Sequence, residues 1–248
     1  MRETGRRVRK IVVVVVVLTV IAAGVVWGVP RLLERVGVGQ SALPWADPCS
    51  VDLGSETISL SREEAKRATT ATALRARSED PPDTSAIDPA VLERLADGPR
   101  DDAGPSLTCR VSADNDLSEE EMTGSGLTPR AERVRAEMAE VFGEQDVGGF
   151  APGGIDEGHG EDSAHYDGRA IDVFYRPVNE ENRRAGWLLA HWLVAHAAEL
   201  DIAVVIFDDR IWSALGSPAG WRDYNSPDPD NEILRHLDHV HVDVQQGN

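Results

Sequence analysis

The sequence predicts an α+β fold. Three observations carry the prediction: a capped amphipathic helix over residues 129–142, a long helical pattern over 181–200, and strand patterns over 170–175, 202–207 and 239–244 on either side of it. Together they describe a domain of roughly 120 residues. All seven histidines lie within it, between His159 and His241, so any histidine chemistry belongs to the C-terminal half.

From the N-terminus, residues 1–10 (MRETGRRVRK) carry five basic groups and one acidic group and read as a cytoplasmic tail. Residues 11–29, IVVVVVVLTVIAAGVVWGV, carry no charge and are long enough for a helix to cross a hydrocarbon layer about 30 Å thick. A cleaved signal peptide is the alternative, but its apolar core runs only about 7–15 residues before a small-residue cleavage site. The expectation is a retained single-pass membrane anchor, with the rest of the chain extracytoplasmic by the positive-inside rule.

The formal charge of −18 is unevenly spread: residues 1–35 carry +5, which leaves −23 beyond them. Such a surface excludes nucleic acid as a partner, because that binding rewards a basic footprint. Cys49 and Cys109 are the only cysteines, and neither has a CxxC or histidine neighbour. On the exported side an oxidising compartment favours a disulfide between them.

Residues 30–126 read as a linker and a small disulfide-bonded helical segment. Ser61 and Glu64 form a capping box opening a helix over 61–77, and Pro89 opens a short second helix over 89–97. The acidic, Gly/Ser-rich stretch 112–126 marks a boundary, so residues 127–248 form the last domain. There, Thr128 and Pro129 start a helix with Val134, Met138, Val141 and Phe142 on one face, and Gly143 stops it. AIDVFY at 170–175 is a strand. The long helix carries Ala185, Leu188, Leu189, Trp192, Leu193 and Leu200 on a broad apolar face, and IAVVIF at 202–207 reads as a buried strand. Residues 210–231 read as a long polar loop whose Trp212 and Trp221 are core or half-buried by type, with a place at the edge of a groove as the alternative, and HVHVDV at 239–244 alternates as the final strand.

His165 and Asp172 are separated by a turn at Gly168, so a loop histidine can fold back beside a strand carboxylate. His239 and His241 share one strand face, because side chains alternate with period two. A catalytic zinc site uses three N/O ligands and leaves one position open. His165, Asp172 and His241 supply such a set, leaving Asp238 or His239 to handle a proton. The plainer reading is a hydrogen-bonded polar cluster. His191 and His196 read as packing or surface residues, His159 as a loop residue near His165, and His236 as a neighbour of the last strand.

The stretch Ser163, His165, Gly168, Ala170, Asp172 resembles the SxHxxGxAxD signature of the D-Ala-D-Ala carboxypeptidase/dipeptidase group, within the lysostaphin-like and hedgehog-like zinc metallopeptidases of bacterial cell walls. DHVH at 238–241 is similar to the end of their site. The resemblance covers about half the chain. It implies a hedgehog/DD-peptidase-like domain with an antiparallel sheet and flanking helices, preceded by the transmembrane helix and the small helical segment. It implies zinc as cofactor, with His165, Asp172 and His241 as ligands, Asp238 as general base and His239 as a supporting or oxyanion-side group. Ser163 orients the loop and, with Arg169 and Trp212, is placed on the substrate side. The resemblance breaks at Gly149-Phe150-Ala151-Pro152, where Ala151 stands in place of an arginine that contacts the substrate carbonyl; Arg169 and Arg176 are the candidates to replace it. The expected function is a membrane-anchored zinc peptidase acting on peptidoglycan stem peptides or related D-amino-acid peptides. The alternative is a non-catalytic cell-envelope binding or scaffolding module that keeps the metal site.

Overall fold

A computed structural model describes residues 48–99, 104–114, 116–215 and 220–248. These residues belong to one compact unit. A three-stranded antiparallel sheet, in the order β2-β1-β3, is formed by β1 (Cys49–Asp52), β2 (Thr57–Leu60) and β3 (Leu107–Cys109). A six-stranded antiparallel sheet, in the order β4-β5-β9-β6-β7-β8, contains β4 (Val147–Gly148), β5 (Ala170–Phe174), β6 (Ile202–Phe207), β7 (Arg210–Ser213), β8 (Arg222–Asp223) and β9 (His239–Val244). The helices are α1 (Arg62–Ala76), α2 (Pro89–Asp97), α3 (Pro129–Phe142) and α4 (Glu180–His196).

The structure is α+β with antiparallel sheets, but it corrects the expected fold class in two respects. Among the described residues no helix is long and apolar enough to cross a membrane. The segment expected to be one, residues 11–29, lies outside the described residues, as does the basic tail. Residues 30–126 also hold more than a linker and the helices α1 and α2, because their described part builds a whole sheet around the disulfide. Cys49 and Cys109 face each other across β1 and β3 and are bonded. Strands of four and three residues are too short to show a period in sequence. This sheet also shares its core with the C-terminal half: Val51, Leu95 and Leu107 lie in one cluster with Trp187, Leu193 and Val242.

Local sequence accounts for the helix boundaries. Ser61 Oγ accepts from the Glu64 amide at 3.3 Å while Glu64 Oε2 accepts from the Ser61 amide at 2.8 Å, the reciprocal pairing of a capping box. Gly143 ends α3 at φ 75°, donating its amide to Ala139. Asn179 caps α4, accepting from the Asn182 amide. Helix α4 stops at His196 rather than 200, because the chain turns through Asp201 (φ 53°) into β6.

Helix α4 is buried on most of its surface, touching β6, β3, β9, α1 and α2. Its approach to β6 is close enough that a Cβ on Gly186 would run into the Phe207 ring. On the six-stranded sheet, Ile171, Val173, Val205, Val240, Val242 and Val244 join this core. Alternation therefore sends Asp172, His239, His241 and Asp243 to the opposite face.

Candidate metal centre

Register brings the polar side chains of β5 and β9 together. Asp172 lies directly opposite His241, and Phe174 opposite His239. His165 reaches them from the turn that precedes β5. Its amide donates to Ser163 Oγ at 3.4 Å, a contact within the turn. His165, Asp172 and His241 are all buried.

Three atoms converge. His165 Nε2 lies 3.1 Å from His241 Nδ1 and 3.3 Å from Asp172 Oδ1, and His241 Nδ1 lies 3.0 Å from Asp172 Oδ1. Donors about 2.0–2.1 Å from a tetrahedral zinc stand roughly 3.3 Å apart, so the triangle has the size a metal requires.

The outer contacts decide which ring nitrogens are bare. His165 Nδ1–H donates to the Gly149 carbonyl at 2.7 Å, leaving Nε2 with its lone pair. Asp243 Oδ1 lies 2.7 Å from His241 Nε2, an ion-pair distance that favours a proton on Nε2 and leaves Nδ1 for the centre, although the contact lacks hydrogen-bond alignment. With these tautomers the three atoms turn lone pairs toward one another, so a cation, either a proton on His241 or a metal ion, has to stand between them. Such an arrangement calls for positive charge. Burial works against a charged His241, yet Asp243 and Asp172 outweigh it and raise its pKa to about 10. Burial likewise pushes the Asp172 carboxyl up, but hydrogen bonds with His165 and His241 hold it well below the usual carboxylate range.

Gly149 makes this contact possible. It has φ 78°, and a Cβ there would overlap the His165 ring and approach Asp172 Oδ2 to 3.0 Å. Neither Gly149 nor Asp243 stood out in sequence. Asp243 carried a usable signal, because it continues the His239–His241 face two residues on.

Asp238 and His239 sit beside the triangle. Asp238 Oδ1 is 2.7 Å from His239 Nδ1, and Asp238 Oδ2 accepts from Arg176 Nε at 2.6 Å. Both carboxylate oxygens are engaged; burial pushes this carboxyl up, and the two hydrogen bonds more than reverse the push. His239 Nε2 points inward, 3.7 Å from Asp172 Oδ1. His236 packs its ring 4.7 Å from that of His239, and burial, with the charge of His241, lowers its pKa to about 3. The exposed His159 stacks on His165 with ring centroids 3.9 Å apart. His159, His165 and Asp172 form a group able to hold a metal ion, with their ligand atoms within 4.8 Å of one another.

Two residues expected on the substrate side are elsewhere. Trp212 is 1% exposed and donates Nε1–H to the Cys109 carbonyl at 3.0 Å, so it is a core residue joining the two sheets and lines no groove. Arg169 bonds the Val244 carbonyl and Asp167, so its guanidinium is held at the end of β9 beyond the triangle. Arg176, by contrast, reaches the site through Asp238, with its guanidinium carbon 4.0 Å above the Phe174 ring.

Residues 123–233 match the profile of a family described as VldE, C-terminal domain. That span contains His159, His165 and Asp172 and ends before His239 and His241. No curated protein and no solved structure matches the chain.

Proposed function

We propose that the protein is an extracytoplasmic zinc-dependent peptidase acting on peptidoglycan stem peptides or related D-amino-acid peptides. The observation that carries this reading is the triangle of His165 Nε2, Asp172 Oδ1 and His241 Nδ1, with both histidine tautomers favoured by Gly149 and Asp243. Two imidazoles and one carboxylate suit zinc, and these three residues would hold it. A zinc ion there supplies Lewis acidity, polarising a carbonyl and making water acidic near neutral pH. The disulfide supports an oxidising compartment. The cell-wall substrate class is supported by the likeness of the Ser163–Asp172 stretch and of DHVH to cell-wall peptidases.

The roles of the neighbouring residues follow from their contacts. His239 has Nδ1 on Asp238 and Nε2 directed at the site, so it accepts the proton of the attacking water. It returns that proton to the leaving amine as the peptide C–N bond breaks and the new C–O bond forms. Asp238, with both oxygens engaged, orients His239 and stabilises its charged form. Arg176 is the cation positioned to offset the absence of an arginine at Ala151.

A second reading, a binding module that keeps the metal site without cutting, is favoured by Ala151 and by the engagement of Arg169 away from the centre. Digestion of muropeptides by the zinc-loaded full chain, read by mass spectrometry, separates the two. Hydrolysis predicts a zinc-dependent product with one new amino and one new carboxyl terminus, lost in His239→Gln. Muropeptides bound but left intact would establish the binding module instead.

A further inference from the structure

We propose that His159 is a fourth metal donor, completing a closed set with His165, Asp172 and His241 and giving way when substrate enters. The inference rests on the zinc reading and extends it to the coordination position that a catalytic site leaves open.

The exposure of the four residues is unequal. His165, Asp172 and His241 are 2%, 7% and 9% exposed, whereas His159 is on the surface with its ring against that of His165 at an interplanar angle of 26°. A donor that leaves and returns has to be the outer one. The ligand atoms of His159, His165 and Asp172 already lie within 4.8 Å of one another. Since tetrahedral donors stand roughly 3.3 Å apart, bringing His159 to donor distance of His165 and Asp172 takes a movement on the order of 1–2 Å.

The loop is built for that movement. Gly158 and Gly160 flank His159, and a Cβ on either would meet nothing within 4 Å, so no packing holds the backbone on either side. The arm is nevertheless tethered. The Tyr166 hydroxyl donates to the His159 carbonyl at 2.7 Å and accepts from its amide at 3.0 Å. Tyr166 follows His165 in the same turn, so the tether ties the arm to the residue beside which it must act. Four donors saturate a tetrahedral zinc, as in structural sites, while a catalytic site needs a free position. His159 thus protects the metal at rest, and its departure opens the site.

The test uses the full chain loaded with zinc for affinity and with cobalt(II) for visible absorption. His159→Ala is expected to weaken zinc binding at least about tenfold, since even outer-shell partners are worth about 10–100-fold. It should also change the cobalt(II) spectrum. Tyr166→Phe should weaken binding by a smaller factor. Muropeptide added to cobalt-loaded wild type should move its spectrum toward that of His159→Ala. Equal affinity and an identical spectrum in His159→Ala, with wild type binding one zinc, would overturn the inference and leave the zinc reading standing. A spectrum unmoved by bound muropeptide overturns the displacement. A wild-type chain that retains no zinc overturns the metal reading and this inference together.

Discussion

His191 shows how single residues of one type divide between structure and chemistry. Its ring is fully buried in α4, where Nε2 accepts the Ser106 amide at 3.2 Å, and burial pushes its pKa down to about 3. Below an unfolded value of 6.5 the unfolded chain binds a proton that the folded chain refuses. Stability from this group is therefore complete above about pH 6.5 and is lost as pH falls toward 3, by about 1.4 kcal/mol per pH unit. His191→Gln keeps an acceptor for Ser106 and removes the titration. In urea unfolding of the chelated chain, its acid limb between about pH 6 and 4 should be shallower by that slope; an unchanged limb would show that His191 is charged in the fold. Sequence reads His191 as a packing or surface residue of an apolar helical pattern, and its burial decides for packing. The pairing of Asp172 with His241 was legible for a similar reason, since strand period and turn spacing constrain both. The contribution of Gly149 was not, because it acts through a backbone carbonyl that no residue type encodes.

At the scale of elements, long periodic segments could be read and short or paired ones could not. Helices α1 to α4 begin within a residue of the expected starts. The sequence of β7 reads as loop because its partner β6 is joined to it by Asp208 and Asp209, both with positive φ (52° and 58°), without the glycine that usually marks such a turn. That pairing places Trp212 opposite Val205 and turns it inward, where it holds β3 through the Cys109 carbonyl. Trp212→Phe should cost about 1–3 kcal/mol in urea unfolding by leaving that buried carbonyl short of a partner. Zinc affinity should be unaffected. Full stability with weakened peptide binding would return Trp212 to a groove.

Across the whole molecule, a strongly acidic chain of net charge −18 gathers the buried His165, Asp172, Asp238, His239 and His241 at one face of one sheet, with His191 apart in α4. The opposite face carries the apolar core, continuous with a second sheet that composition alone presented as a spacer. Two short strands joined by a disulfide gave no periodic signal, which is why this half of the architecture was illegible, while the α+β class of the C-terminal half could be inferred. The central claim is that the polar face of the six-stranded sheet holds a cation between two strands and a turn. It is tested most directly by anomalous diffraction at the zinc edge from crystals of the full chain. The account predicts one peak about 2.0–2.2 Å from His165 Nε2, Asp172 Oδ1 and His241 Nδ1. A zinc-saturated crystal with no peak there, and those three atoms still in direct contact at 3.0–3.3 Å, would contradict it.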